Sequence, residues 1–236
     1  MGWGPVSSIL VWSEQGLGDR IQFARFAPEL AGRGIEVSLL CWPPLRRLLE
    51  HTGAQLIEAK SDVAIPRADA WTLFGSLPLR LATRIEALPP PVPIRAEQRD
   101  SGGLGFVWRG SPRHPDDRNR SLPAELARQV MARPGVRSLA PEDTGARDFQ
   151  DTAELVAGLD LVITVDTALA HLAGSMGKPT WVLLPAIKTD WRWGDAGAST
   201  SWYPSIRLIR QTTAGDWGSV IDGVLADLDS RPSQAK

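Results

Sequence analysis

The chain has 236 residues, 43% of them hydrophobic and 22% charged, with a formal net charge of −1. This is the composition of a globular protein with chain enough for one large or two small units, and so neutral a balance excludes nucleic-acid binding by bulk charge. Cys41 is the only cysteine, which excludes an internal disulfide, a cysteine-rich zinc site and an iron–sulfur cluster.

The N-terminus MGWGPVSSILVW has no basic segment before its apolar run, and no apolar stretch approaches the ~20 residues that span a bilayer. The sequence therefore predicts a cytoplasmic protein without signal peptide or membrane span, and leaves peripheral membrane contact open. In chain order, Ser8 to Trp12 reads as a first strand, followed by the loop SEQGLG and a helix from about Asp19 to Arg33 that buries Phe23, Phe26, Ala27, Leu30 and Ala31. Glu36 to Trp42 is a second strand, Pro43 and Pro44 open a helix to about Thr52, and Ala54 to Glu58 is a third strand. From Ser61 to Arg84 the pattern weakens to a strand over Asp69 to Phe74 and a turn leading into a short helix. Pro89, Pro90, Pro91 and Pro93 then stiffen the chain, and 95–103 reads as a linker.

A second alternation follows the linker. Leu104 to Trp108 is a strand, a polar loop runs to Pro123, and a helix ends near Met131. Val136 to Leu139 is a strand, and Asp151 is expected to cap a helix from about Thr152. The strongest unit is LVITVDTALAHLAGSMGKPTWVLL. Two apolar strands, Leu161 to Val165 and Thr180 to Leu184, flank a helix whose Leu169, Leu172, Ala173 and Met176 form one apolar stripe. A loop with three tryptophans, a strand over Ile206 to Ile209 and a helix over Trp217 to Leu228 complete the chain. The fold class is thus α/β, two Rossmann-like units facing across a cleft: 1–94, the linker 95–103, and 104–236.

Three loops should line that cleft. In the first, Gly16 and Gly18 permit a tight turn and Asp19 stands at the helix mouth, as ligand group or simple cap. The third glycine of a dinucleotide fingerprint is missing, so an NAD-dependent oxidoreductase ranks last. The second, RGSPRHPDDRNRS, gathers Arg109, Arg113, Arg118 and Arg120 with Ser111. It is either a diphosphate cradle or a solvated loop whose arginines pair with Asp116 and Asp117. In the third, Asp166, Thr167 and Ala168 join a strand end to a helix N-terminus, where anions bind. There Asp166 either meets a ligand or caps the helix, and the Thr167 hydroxyl adds a donor. His171 lies off the apolar stripe and either reaches a ligand or bonds a neighbouring loop.

The segments EQGLGDRIQFAR, VWRGSPRHPDDRNRSLP, ITVDTALAHLAGSMGKPTWVLLP and DWRW, in that order, resemble the heptosyltransferase-like glycosyltransferases, above all the bacterial branch often fused behind tetratricopeptide repeats. The resemblance implies a GT-B fold. It also implies a nucleotide-sugar donor held by the C-terminal unit, a saccharide, lipid-linked or protein acceptor held by the N-terminal one, and inversion without metal or cofactor. By motif it implies Asp19 as general base and Arg120 on the phosphates, with Arg109 and Ser111 in the same loop. Asp166, Thr167, Ala168 and His171 fall at the donor turn, and Gly16, Gly18 and Gln22 on the acceptor side. The alternative is a catalytically silent nucleotide-sugar-binding module or partner subunit.

Overall fold

The structure, a computed structural model, describes residues 6–59, 62–98 and 102–231. Its first half is a parallel sheet of β1 (Ser8–Trp12), β2 (Glu36–Cys41), β3 (Gln55–Glu58) and β4 (Ala70–Leu73) in the order β3-β2-β1-β4. The pairing Ile9↔Val37 and Val11↔Leu39 sets one apolar row on the face that the following helices cover. The expected helix over 19–33 is two helices, α1 (Leu17–Phe23) and α2 (Phe26–Gly32). Pro28 explains the break: it has no N–H for the carbonyl of Ala24, which instead accepts from Ala27 at 3.0 Å. The helix expected from Pro43 to Thr52 is also corrected, to a 3₁₀ turn over Pro43–Leu45 and further turns. Two prolines without N–H groups open a segment too short to repay helix nucleation, although Leu45, Leu48 and Leu49 still enter the core.

The other face of this sheet is bare by comparison. Leu10, Trp12, Trp71 and Leu73 line an open groove with Ile65 and Pro66, and Trp71 is 70% exposed. After β4 come a 3₁₀ turn over Phe74–Ser76 and α3 (Leu77–Arg80). Residues 99–101 of the expected linker lie outside the described residues, as does Ser61.

The second half comprises β5 (Leu104–Val107), α4 (Asp117–Arg120), α5 (Ala124–Met131), β6 (Val136–Ser138), α6 (Pro141–Thr144), α7 (Phe149–Ala157), β7 (Leu161–Val165), α8 (Ala168–Ser175), β8 (Thr180–Leu184), β9 (Ile206–Arg210) and α9 (Trp217–Ser230). Its sheet is parallel throughout, in the order β6-β5-β7-β8-β9. Every residue of β7 and β8 is buried because both faces are covered. Leu161, Ile163 and Val165 pack with Val130 of α5 and Val220 and Val224 of α9. Val162, on the opposite side, joins Leu172 and Ala173 of α8 and Val156 of α7 in a core that runs on into the first half. The helix expected from Thr152 begins earlier: Asp148, not Asp151, is its cap, accepting from the Asp151 N–H at 2.9 Å. The Asp151 carboxylate is instead buried against Arg147 at 2.8 Å and Arg47 of the first half at 2.8 Å.

Candidate functional site

The halves meet where α1 crosses α8. A Cβ on Gly18 would stand 2.6 Å from His171 Cδ2 and 3.3 Å from the Ala168 Cα, so only glycine lets the mouths of the two helices touch. The first of the three expected loops therefore lies against the third. Thr167 caps α8, its Oγ1 accepting from the Leu169 N–H at 3.3 Å and lying 3.1 Å from Thr164 Oγ1. Asp166 is thus freed of the capping role, and the Thr167 hydroxyl, expected as a donor to a ligand, is already engaged. Loss of hydration pushes the Asp166 carboxyl up, against the opposing influence of the Trp193 indole, with Asp190 raising it further and Arg120 and Arg192 lowering it.

Asp19 sits in the first turn of α1, after the extended Gly16. Its carboxylate forms a close ion pair with Arg192, which comes from the 3₁₀ turn Trp191–Trp193 beyond β8. The same guanidinium reaches Asp190 Oδ2 at 2.6 Å and Gln15 Oε1 at 3.2 Å. Burial raises the proton affinity of Asp19, Arg192 opposes that rise, and Asp190 adds to it. A base, a cation from the other half and two further acceptors thus share one small volume.

Arg120 closes the other end of this cluster. Its Nη1 donates to the Asp166 carbonyl at 2.7 Å and its Nε to Asp117 Oδ1 at 3.1 Å, which fixes the side chain across the strand-to-helix turn. Arg120 and Asp19 consequently open onto one connected network through Asp166, Asp190 and Arg192. Arg109 does not join it: exposed, it pairs with Glu142 and lies over Trp108 at 5.1 Å. Ser111 is exposed, its hydroxyl accepting from the Arg113 N–H at 3.4 Å within its own loop. For these two the geometry is that of the solvated loop, while Asp117 does pair with Arg120.

Two further expectations change. His171 is buried at 6% exposure, stacked on Trp193 with ring centroids 5.2 Å apart and its Nδ1 3.2 Å from the Tyr203 hydroxyl. It seals the seam instead of facing the cleft, and desolvation pulls its pKa down to about 3. Gln22, expected on the acceptor side, points inward, fully buried, and neither side-chain polar atom has a hydrogen-bond partner among the described residues. The sequence reading set the tryptophans of DWRW in a loop and counted that segment in the resemblance, but gave no role to its Asp190 and Arg192, and it missed Tyr203. It also missed Arg20, buried with Nε on the Ser13 hydroxyl and its guanidinium 4.0 Å from the Trp42 ring, and Arg25, which holds the Trp202 carbonyl at 3.1 Å. Among the described residues no group of three or more His, Cys, Asp or Glu is placed to hold a metal ion.

Comparison with known proteins adds four findings. Residues 122–184, which contain α5 through β8, match the family model glycosyltransferase family 9 (heptosyltransferase). The protein FlbA of Caulobacter vibrioides is 26% identical over 266 residues, an alignment covering 89% of this chain but 44% of FlbA, so the chain spans under half of that relative's length. The Escherichia coli ADP-heptose lipopolysaccharide heptosyltransferase II is 15% identical and superposes with TM-score 0.60, covering 94% of this chain and 98% of that one. E. coli heptosyltransferase WaaC, solved with ADP, is 13% identical with TM-score 0.59, covering 93% of this chain and 99% of the other. The fold is that of these heptosyltransferases, GT-B, and residues 122–184 are similar to glycosyltransferase family 9.

Proposed function

We propose, from this heptosyltransferase-like fold and its family 9 segment, that the chain is an inverting, metal-independent glycosyltransferase moving a sugar from a nucleoside-diphosphate sugar to an acceptor hydroxyl. The observation that carries the reading is the Gly18–Ala168 contact, which brings the Asp19 loop of one half beside the Asp166–Ala168 turn of the other. On this reading 1–94 takes the acceptor and 104–236 the donor, joined through 95–103. The acceptor hydroxyl gives its proton to Asp19 as its oxygen bonds to the anomeric carbon, and the bond from that carbon to the phosphate oxygen breaks. The electron pair leaves with the diphosphate, whose growing charge meets Arg120 and the positive end of the α8 dipole. Asp166 turns toward the sugar hydroxyls, where a carboxylate accepts hydrogen bonds without opposing the phosphates.

A thermal-shift screen against ADP-, GDP- and UDP-sugars tests donor binding, since a ligand present at 100 times its Kd stabilises the native state by about 2.7 kcal/mol. Asp19→Asn should then lower transfer about 10²- to 10⁴-fold while leaving donor binding intact. One observation favours a second reading, a binding module without turnover: Asp19 is held by Arg192. Wild-type protein that binds a nucleotide sugar yet neither hydrolyses nor transfers it would establish that reading.

A further inference from the structure

We infer that Arg192 is a donor-diphosphate ligand, and that its passage from Asp19 to the phosphates is what frees the base; this rests on the glycosyltransferase reading. Arg192 belongs by chain to the donor half, yet here its guanidinium serves residues of the other half, Asp19 and Gln15. It is 9% exposed, lies near the rings of Phe23 at 5.4 Å and Trp191 at 5.1 Å, and also holds Asp190 of its own half at 2.6 Å. Its Nε is buried without a hydrogen-bond partner among the described residues, while the indole of the adjacent Trp193 turns to the Asp166 carboxylate. One guanidinium donor thus stands unused near the turn expected to hold phosphate, and a buried donor left unpaired is unfavourable until something supplies an acceptor.

A carboxylate in close ion pair with a guanidinium is a poor base, because the pair stabilises the charged form it would lose on protonation. A diphosphate carries more charge than one carboxylate and matches the arginine fork with two oxygens. Donor arrival at the Asp166 turn therefore draws Arg192 off Asp19. Asp19 is then left among buried groups and Asp190, with Arg20 the remaining cation near it, and its proton affinity rises. The acceptor's proton moves to Asp19, and the diphosphate that departs with the electron pair is met by Arg192 as well as Arg120. The consequence is an obligatory order, donor before acceptor.

The test uses the whole chain with ADP, GDP, UDP and inorganic pyrophosphate as probes. Calorimetry should show Arg192→Gln binding the best probe about 10- to 100-fold more weakly than wild type, the range expected when hydrogen bonds to a charged group are lost. NMR titration of ¹³C-carboxyl aspartate, with the Asp19 signal assigned by its loss in Asp19→Asn, should show the Asp19 midpoint rising when the probe binds. That rise should be larger in wild type than in Arg192→Gln, whose free form already titrates high. Equal affinities, or equal rises, overturn the role of Arg192 while leaving the donor reading standing. Should Arg192→Gln not fold, a wild-type midpoint that does not rise with bound probe overturns it equally. Wild-type protein that binds none of the probes overturns the donor reading and this inference with it.

Discussion

The two helices at the seam, α1 and α8, are built by opposite means. α8 has a threonine cap and a buried face of Leu169, Ala170, Leu172 and Ala173, and Gly174 lets the Tyr203 ring lie directly on it. α1 has no side-chain cap and buries Arg20 and Gln22 beside Ile21 and Phe23, with Arg20 Nη1 and both polar atoms of Gln22 lacking hydrogen-bond partners among the described residues. Apolar burial and a capped end hold α8, whereas α1 also leans on polar groups from both halves, Arg20 on Ser13 and Trp42 of its own and Asp19 on Arg192 of the other. On the proposed reading a donor turn must present its groups in fixed places, and a base must change its charge and partners. That reading gives the apolar, capped helix the first role and the polar, incompletely satisfied helix the second.

Breaking the contact between them should have the largest effect. Gly18→Val forces a side chain into the His171 ring, itself fixed by Trp193 and Tyr203, and should cost about 1–3 kcal/mol. At roughly 2–4 °C per kcal/mol the melting temperature falls measurably, and transfer falls with it because the halves separate. Retained transfer at an unchanged melting temperature would mean the seam is not the working geometry.

A smaller, pH-dependent effect sharpens the comparison from the α8 side. Burial, with Arg192 and Arg25 nearby, lowers the His171 pKa to about 3 from 6.5, so between those values the unfolded chain binds a proton that the native ring does not. Stability from this group is complete above about pH 6.5 and is lost as pH falls toward 3, at most about 1.4 kcal/mol per pH unit. Asp151, held below the usual carboxylate range by Arg147 and Arg47, adds loss in the same direction only at more acid pH. His171→Asn should flatten the curve of melting temperature against pH between 4 and 6, and an unchanged slope would show that the ring titrates normally. The smallest effect is expected at the cap: Thr167→Ala should lower stability by about 1 kcal/mol in denaturant unfolding, with Asp19 chemistry unaffected at saturating donor.

Much of the fold was legible because its signals are local. The β7–α8–β8 unit came from a run of apolar residues, a stripe at helical spacing and a glycine stop, and the structure places those elements within a residue or two of the reading. Where the reading slipped, a competing local rule had been passed over: Pro28 inside a helical stripe, paired prolines at the head of a short segment, and Asp148 ahead of Asp151 at a cap. The candidate site was half legible in its geometry. Asp19, Arg120 and Asp166 were singled out by motif, and the structure brings their segments together. Arg109 and Ser111 share the loop of Arg120, and sequence alone cannot say which arginine folds back over the Asp166 carbonyl and which turns to Glu142.

The sequence by itself determined where the strands run and that they alternate with helices into two α/β halves, because spacing, caps and turn residues act within a few positions along the chain. Only the tertiary structure decided that Gly18 faces Ala168, that Arg192 reaches across some 170 positions to Asp19, and that His171 and Gln22 are interior. Those contacts depend on how two separately formed layers dock, and the pull of a buried charge on its partner follows distance in space and has no counterpart in distance along the chain.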